Sequence, residues 1–292
     1  MHIKSEDKDA PSIYWDYIQL DLLLGIQNTK TSISDEKVFL TYHQIVELYY
    51  SLVLHELNRL IRPEVEVDVA FFAERLLRMN RYLCHIINAF EVLTYGLDTE
   101  EFLRFRRLLG NASGFQSVQH RKIEIAATDL AVLSGNDSAQ TMGVSDDLLM
   151  RAYQSLYWRC ISEFASDDSA KRMLNAFEAR YRDELIAYAR MAQPQNLWQR
   201  FMQDFKDNAE IRELLKRFDR LFNLDWKEAH LGAAIHHMSG MHRVERATGG
   251  SNWRQYLVKG KRVHPVFYPE LWEASELKAF EERCMALVTN SN

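Results

Sequence analysis

Four of the ten histidines fall within one predicted helix, over residues 225–244. They are His230, His236, His237 and His242. Small residues flank the central pair, with Gly232 one turn before His236 and Gly240 shortly after it. Small side chains let a flat group approach a helix, and an imidazole in such a clearing suits the axial ligand of a haem iron. The pattern also fits a helix–helix crossing with a buried, hydrogen-bonded histidine, and the spacing does not choose between His236 and His237.

A second candidate region is the predicted helix over residues 35–61, which is apolar nearly all round and therefore typical of a buried helix. Polar side chains nevertheless recur in it every four residues, so they share one face. They are His43, Glu47, Ser51, His55 and Arg59. This polar stripe fits a partly solvated edge, and it fits equally well the lining of an internal pocket.

Arg121 lies about two turns into a predicted helix that is otherwise rich in apolar residues. An arginine on a mostly buried helix needs an anionic partner. That partner is either a carboxylate of the same region, Glu124 or Asp129, or a substrate carboxylate held by two parallel hydrogen bonds.

The triplet Thr248-Gly249-Gly250 follows the histidine-rich helix. Glycines in that position usually end a helix or form a loop. They can also let backbone N–H groups close over an anionic ligand.

Long helices must position these residues, because the 292-residue chain has five prolines and none between Glu64 and Gln193. Hairpin signals and alternating strand patterns are scarce. The sequence predicts an all-α fold of about eleven helices in one domain, 1–292, with 1–12 as a flexible tail. Apolar spacing and breakers place the helices at 13–27, 35–61, 66–95, 99–108, 115–133, 145–163, 167–191, 196–205, 208–223, 225–244 and 274–287.

Composition excludes several classes of protein. The net charge is −5, without a dense basic run, which argues against nucleic acid as a partner. No apolar stretch is long enough to span a bilayer, and the polar N-terminus is not typical of a signal peptide. Three widely spaced cysteines fit reduced thiols. A cytoplasmic protein with no membrane partner is expected.

Five blocks, in order along the chain, resemble the tryptophan 2,3-dioxygenase family. YWDYIQLD at 14–21 is similar to the family's YGxYLxLD. Residues 35–57 resemble its DExLFxxxHQxxELW…HEL helix, and residues 105–124 resemble FRxxLGxxSGFQSxQxRxxE. Residues 237–251 are similar to the axial-histidine helix and its GTGGSSG loop, and YPELW at 268–272 to the closing FPELF/W.

The resemblance implies an all-α bundle that binds haem b and uses O₂ as co-substrate to open the indole ring of L-tryptophan. It also implies a homo-oligomer, usually a tetramer, in which the N-terminal segment of one subunit closes a neighbour's active site. His237 would be the axial iron ligand, with His236 as the alternative.

Further roles follow from the same resemblance. His43 would lie on the distal side near the indole N–H as the catalytic residue, and Phe39 would wall the pocket. The remaining residues would bind substrate or cofactor. Tyr14 and Tyr17 would come from the adjacent subunit, Arg121 would clamp the substrate carboxylate, Thr248 would contact the amino-acid end, and Gly249 and Gly250 would close the cofactor-binding loop.

The sequence departs from the family where the substrate and the proximal side of the haem would lie. AAIHH replaces the usual WRxRH before the axial histidine, and ATGGSNW replaces GTGGSSG. These changes leave two further hypotheses open. One is a haem monooxygenase or peroxygenase that hydroxylates a substituted indole, tryptophan or tyrosine. The other is a helical interaction protein that has lost catalysis.

Overall fold

A computed structural model describes residues 13–62, 67–109, 116–135, 145–160, 168–238 and 266–289. The predicted all-α class is confirmed, and no strand occurs within these ranges. The α-helices are α1 (Tyr14–Tyr17), α2 (Leu20–Gly25), α3 (Asp35–Ile61), α4 (Val69–Asn88), α5 (Phe90–Thr94), α6 (Thr99–Arg106), α7 (Val118–Ala127), α8 (Leu130–Leu133), α9 (Asp146–Gln154), α10 (Tyr157–Cys160), α11 (Asp168–Ala192), α12 (Leu197–Asp204), α13 (Ala209–Asp219), α14 (Trp226–Met238) and α15 (Ala274–Thr289).

The fold is centred on α3, which packs against α4 on one side and α7 on another. α4 also packs on α13, α7 on α11, and α14 on α5. The buried side chains of these helices form one continuous apolar cluster that includes Val53, Leu57, Leu76 and Ile123. The single-domain assignment stays a prediction. None of the described helices is long and apolar enough to cross a membrane.

Several predicted helices are broken. The helix expected over 13–27 divides at Gln19, whose φ of 51° is left-handed. The helix expected over 115–133 divides at Thr128, which is extended. There the Thr128 hydroxyl donates to the Phe267 carbonyl, and the Gln193 side chain bonds both Thr128 O and Leu130 N. Long-range partners thus replace the helical hydrogen bonds.

Three other boundaries also differ. The helix expected over 66–95 is α4 followed by α5, and the described part of the helix expected over 145–163 is α9 followed by α10. Conversely, the helices expected over 208–223 and 225–244 are joined, because a π-helix (Arg220–Asp225) connects α13 to α14. Such wide turns frequently occur at functional sites.

α3 is not buried all round. Ile45, Leu48 and Leu52 are 43%, 55% and 43% exposed, so one apolar strip of the helix faces outward. Within the polar stripe, Ser51 and His55 are exposed, whereas His43 and Glu47 are partly buried. The stripe is therefore exposed to solvent at Ser51 and His55 and partly buried at His43, Glu47 and Arg59.

Candidate functional site

His237 is buried near the end of α14, with 3% of its surface exposed. Its Nε2 lies 2.6 Å from the Leu93 carbonyl oxygen, and its Nδ1 lies 2.9 Å from the Thr99 hydroxyl. Burial, the largest influence, lowers the pKa of His237, although the Leu93 carbonyl acts in the opposite direction. The imidazole is therefore neutral at neutral pH, which is the form that binds metals.

The neighbouring His236 has different surroundings. It is exposed, and its ring meets the Tyr95 ring edge-on at a centroid distance of 5.7 Å. One turn earlier, a Cβ at Gly232 would meet no atom of the described residues within 4 Å. The histidine that resembles the family's axial ligand is thus the buried one, and Gly232 lies on the side of the exposed one.

Phenylalanine rings connect His237 to α3. Phe102 of α6 lies 4.9 Å from the His237 ring and 5.9 Å from Phe39, centroid to centroid. Phe39 in turn lies 4.2 Å from the His43 ring, and the fully buried Phe105 packs against both phenylalanines. The predicted wall residue Phe39 and the two predicted site histidines therefore share one aromatic cluster.

His43 has a defined tautomer. Its Nδ1 lies 2.7 Å from the Phe39 carbonyl oxygen, which can only accept, so Nδ1 carries the proton. Burial lowers the pKa of His43, although the Phe39 carbonyl and Glu47 act in the opposite direction. The ring is then neutral with a lone pair on Nε2. That nitrogen can accept a hydrogen bond from an N–H group.

His230 is a third imidazole of this region, and the sequence assigned it no role of its own. It lies seven residues before His237, two helical turns along the same face of α14. Its ring stacks on Trp226 at 5.1 Å and contacts Phe90 at 5.8 Å. Burial, with a smaller effect of nearby His43, lowers its pKa to about 4. The seven-residue spacing between His230 and His237, which puts both on one face of the helix, is the sequence feature that could have indicated it.

Arg121 is buried in α7, and its carboxylate partner is Glu124, one of the alternatives that the sequence allowed. Its Nη1 donates to Glu124 at 2.7 Å and to the Tyr157 hydroxyl at 2.8 Å. Tyr157 in turn donates to Glu124 at 2.5 Å. Asp129, the other candidate, instead accepts from Asn196 and Gln199. Arg121 thus belongs to a buried polar triangle between α7 and α10.

Glu47 connects α7, the helix of Arg121 and Glu124, to α3. Gln119 of α7 donates to both the backbone oxygen and the carboxylate of Glu47, each at 2.8 Å. Glu47 lies one turn after His43, so the hydrogen bonds fix the part of α3 that carries the predicted distal histidine. Glu47 of the HQxxEL string and Gln119 of the SGFQSxQ string are therefore in contact.

The remaining predicted residues divide into two groups. Tyr14 and Tyr17 lie in α1 and are 70% and 77% exposed, so neither reaches the aromatic cluster of its own chain. Thr248, Gly249 and Gly250 lie outside the described residues.

A buried, neutral imidazole such as His237 has the form of histidine that can ligate a haem iron. A family model described as tryptophan 2,3-dioxygenase matches residues 3–139. The chain is 30% identical over 268 residues to the tryptophan 2,3-dioxygenase of Polaromonas sp. (strain JS666), covering 89% of this chain and 86% of that one. It is 30% identical over 267 residues to that of Exiguobacterium sibiricum, covering 89% and 90%. The chain therefore belongs to the tryptophan 2,3-dioxygenase family, and the predicted enzyme class, an oxygenase, is confirmed.

Proposed function

We propose that this chain is a haem-dependent dioxygenase that inserts both atoms of O₂ across the indole C2–C3 bond of L-tryptophan or a close indole analogue. The product would be of the N-formylkynurenine type. The observation that carries the proposal is the cluster in which neutral His43 and His237 are linked by Phe39 and Phe102. Family membership supports it independently.

The residues present fit a haem. An axial histidine should be neutral and buried, with its second ring nitrogen held by a partner. His237 meets these conditions through burial and the Thr99 hydroxyl on Nδ1. Coordination by Nε2 would replace its hydrogen bond to Leu93, and such bonds contribute only about 0.5–1.5 kcal/mol net. When bound, ferrous haem would supply the activation of O₂.

The protein's own contribution would be orientation. The Nε2 lone pair of His43 would accept a hydrogen bond from the indole N–H, and Phe39 would pack against the ring. Little acid–base chemistry would be needed from these side chains, because the cofactor would carry the difficult step. The aromatic cluster would keep water out.

Arg121 would bind the substrate carboxylate, with Thr248 at the amino-acid end. Because Arg121 already donates to Glu124 and Tyr157, a substrate would have to join or displace these partners. A ligand without a carboxylate would forgo that interaction, which would favour amino acids over simple indoles.

Tyr14 and Tyr17 would complete the site of a neighbouring subunit in a homo-oligomer. Their exposure supports this role, together with that of Trp15, Leu22 and Leu24. Gln27 and Gln44 hydrogen-bond at 2.8 Å, which attaches the N-terminal segment to α3 next to His43.

Turnover with isotopically labelled oxygen tests the proposal. The reduced, haem-loaded protein is incubated with L-tryptophan and ¹⁸O₂. The expected result is absorbance of N-formylkynurenine with two labelled atoms per product. A product with one labelled atom would indicate a monooxygenase, and a haem-loaded protein that forms no product from tryptophan or indole analogues would also overturn the proposal.

The axial assignment has its own test. His237→Ala should abolish the Soret band of the reconstituted protein, while His236→Ala should keep it. The reverse result would make His236 the ligand.

A further inference from the structure

The Thr99 hydroxyl and the Leu93 carbonyl hold the His237 ring from both sides. The carbonyl can only accept, so in this arrangement Nε2 carries the proton and donates to Leu93 at 2.6 Å. Nδ1 then has the lone pair, and it accepts from the Thr99 hydroxyl at 2.9 Å. The two bonds fix both the orientation and the tautomer of the imidazole.

A hydroxyl can reverse its part in such a bond, because it both donates and accepts. If Nε2 of a neutral imidazole binds a metal, the ring proton must reside on Nδ1. Nδ1 would then donate to the Thr99 oxygen, and the Leu93 carbonyl would have to move away from Nε2 to admit the iron. A carbonyl or carboxylate in place of Thr99 could serve only one of the two states.

Reciprocal hydrogen bonds between the starts of α3 and α6 fix the position of Thr99. The Asp98 carboxylate accepts from Glu101 N at 2.9 Å and so caps α6. The Asp35 carboxylate accepts from Asp98 N at 2.6 Å, and the Glu101 carboxylate accepts from Asp35 N at 3.1 Å. Thr99, the first residue of α6, is therefore attached to the same helix, α3, that carries His43.

We propose that Thr99 is a positioning residue for His237, and that its hydroxyl bonds Nδ1 of the ring both with and without haem. This inference rests on the proposed function, since it takes His237 as the axial ligand. Partners on the outer nitrogen of a ligating histidine fix its tautomer and raise its basicity. Thr99 would thereby set both haem affinity and the strength of the iron–histidine bond.

The test compares Thr99→Val, which keeps the shape and removes the hydroxyl, with Thr99→Ser, which restores the hydroxyl. Thr94→Val is a matched control, because the Thr94 hydroxyl bonds within α5, to Phe90 O at 2.9 Å. Haem affinity is measured by Soret titration of the full chain. The iron–histidine stretching band of the ferrous protein is recorded by resonance Raman spectroscopy.

Thr99→Val should weaken haem binding about 10- to 100-fold and shift the iron–histidine band to lower frequency. Thr99→Ser and Thr94→Val should match the parent in both measurements. Thr99→Ala provides a second hydroxyl-free variant should the valine disturb folding, and the same losses are expected.

Unchanged affinity and band position in Thr99→Val would overturn the inference, and so would a serine variant that behaves like the valine variant. His237→Ala distinguishes the role of Thr99 from the axial role of His237. If His237→Ala loses haem and Thr99→Val has no effect, only the proposed role of Thr99 is contradicted. If His237→Ala retains haem, the axial assignment itself is contradicted.

Discussion

Burial keeps several imidazoles of this protein neutral. It is the largest influence on His43, His120, His230 and His237, and in each case it lowers the pKa. A neutral imidazole can bind iron or accept a hydrogen bond, whereas a protonated one can do neither. The same desolvation makes protonation of the folded chain unfavourable.

This desolvation predicts acid sensitivity. An unfolded histidine binds a proton near pH 6.5, but folded His230 does so only near pH 4. The stabilising contribution of neutral His230 is therefore fully present above pH 6.5 and is lost as the pH falls from 6.5 to 4. His230→Phe should reduce the loss of unfolding free energy between pH 7 and pH 5 by about 2 kcal/mol. Urea titrations at the two pH values measure it.

Trp226→Phe is the matched control, because it trims the same ring stack but keeps the imidazole. It should lower stability at both pH values and preserve the difference between them. An equal pH difference in the parent and His230→Phe would show that His230 does not contribute to the acid sensitivity.

Arg121 carries two separable roles, a buried ion pair and a proposed substrate contact. Arg121→Met removes the guanidinium that pairs with the buried Glu124 at 2.7 Å and should cost about 3–5 kcal/mol. Adding Glu124→Gln removes the carboxylate charge and should recover much of the stability. If Arg121 also binds the substrate carboxylate, the double variant will still show a raised KM for L-tryptophan. A recovered KM in the stable double variant would leave Arg121 with the structural role alone.

At the scale of elements, Asp219 joins the end of α13, the π-helix and the C-terminal segment. Its buried carboxylate accepts from Asn223 Nδ2, from the backbone N–H groups of Phe267 and Tyr268, and from Trp272 Nε1, all within 3.0 Å. This arrangement explains where the YPELW block acts. The block anchors the C-terminal segment to the continuous helical segment, α13 to α14, that carries His237.

Asp219→Ala should therefore be strongly destabilising, since it leaves several buried donors without an acceptor. We expect a loss of at least about 2 kcal/mol in the free energy of unfolding. Asp225→Ala is the control, because that carboxylate pairs with a mostly exposed Arg220 and should cost at most about 1 kcal/mol. Similar losses in the two variants, measured by urea titration, would contradict the anchoring role.

At the scale of the whole molecule, the outward apolar strip of α3 lies on the helix to which the N-terminal segment is attached. Large exposed apolar patches usually mark interaction sites. We expect a second copy of the chain to cover the strip and the exposed side chains of α1 and α2.

Leu48→Glu combined with Leu52→Glu should lower the sedimentation mass, because charged groups at such an interface would be desolvated without partners. Met202→Glu, at an exposed apolar residue of α12, should leave the mass unchanged. A parent chain that sediments as a monomer would contradict the prediction, as would a double variant with the parent's mass.

The sequence by itself determined the features that depend on local spacing. Apolar periodicity and sparse prolines gave the all-helical class and the full extent of α3, since helical hydrogen bonds connect residues four apart. Ordered motif blocks identified the family. The same periodicity put His43 and Glu47 on one face of α3.

Tertiary structure decided what depends on distant neighbours. Adjacent His236 and His237 point about 100° apart on their helix, and packing by α5 and α6 decides which is buried. Thr99 reaches His237 from 138 residues away, and Arg121 meets Tyr157 36 residues later. Thr128 leaves its helix because Phe267 and Gln193 supply other hydrogen bonds. None of these contacts produces a periodic pattern in the sequence, because each one forms only after separate helices have packed together.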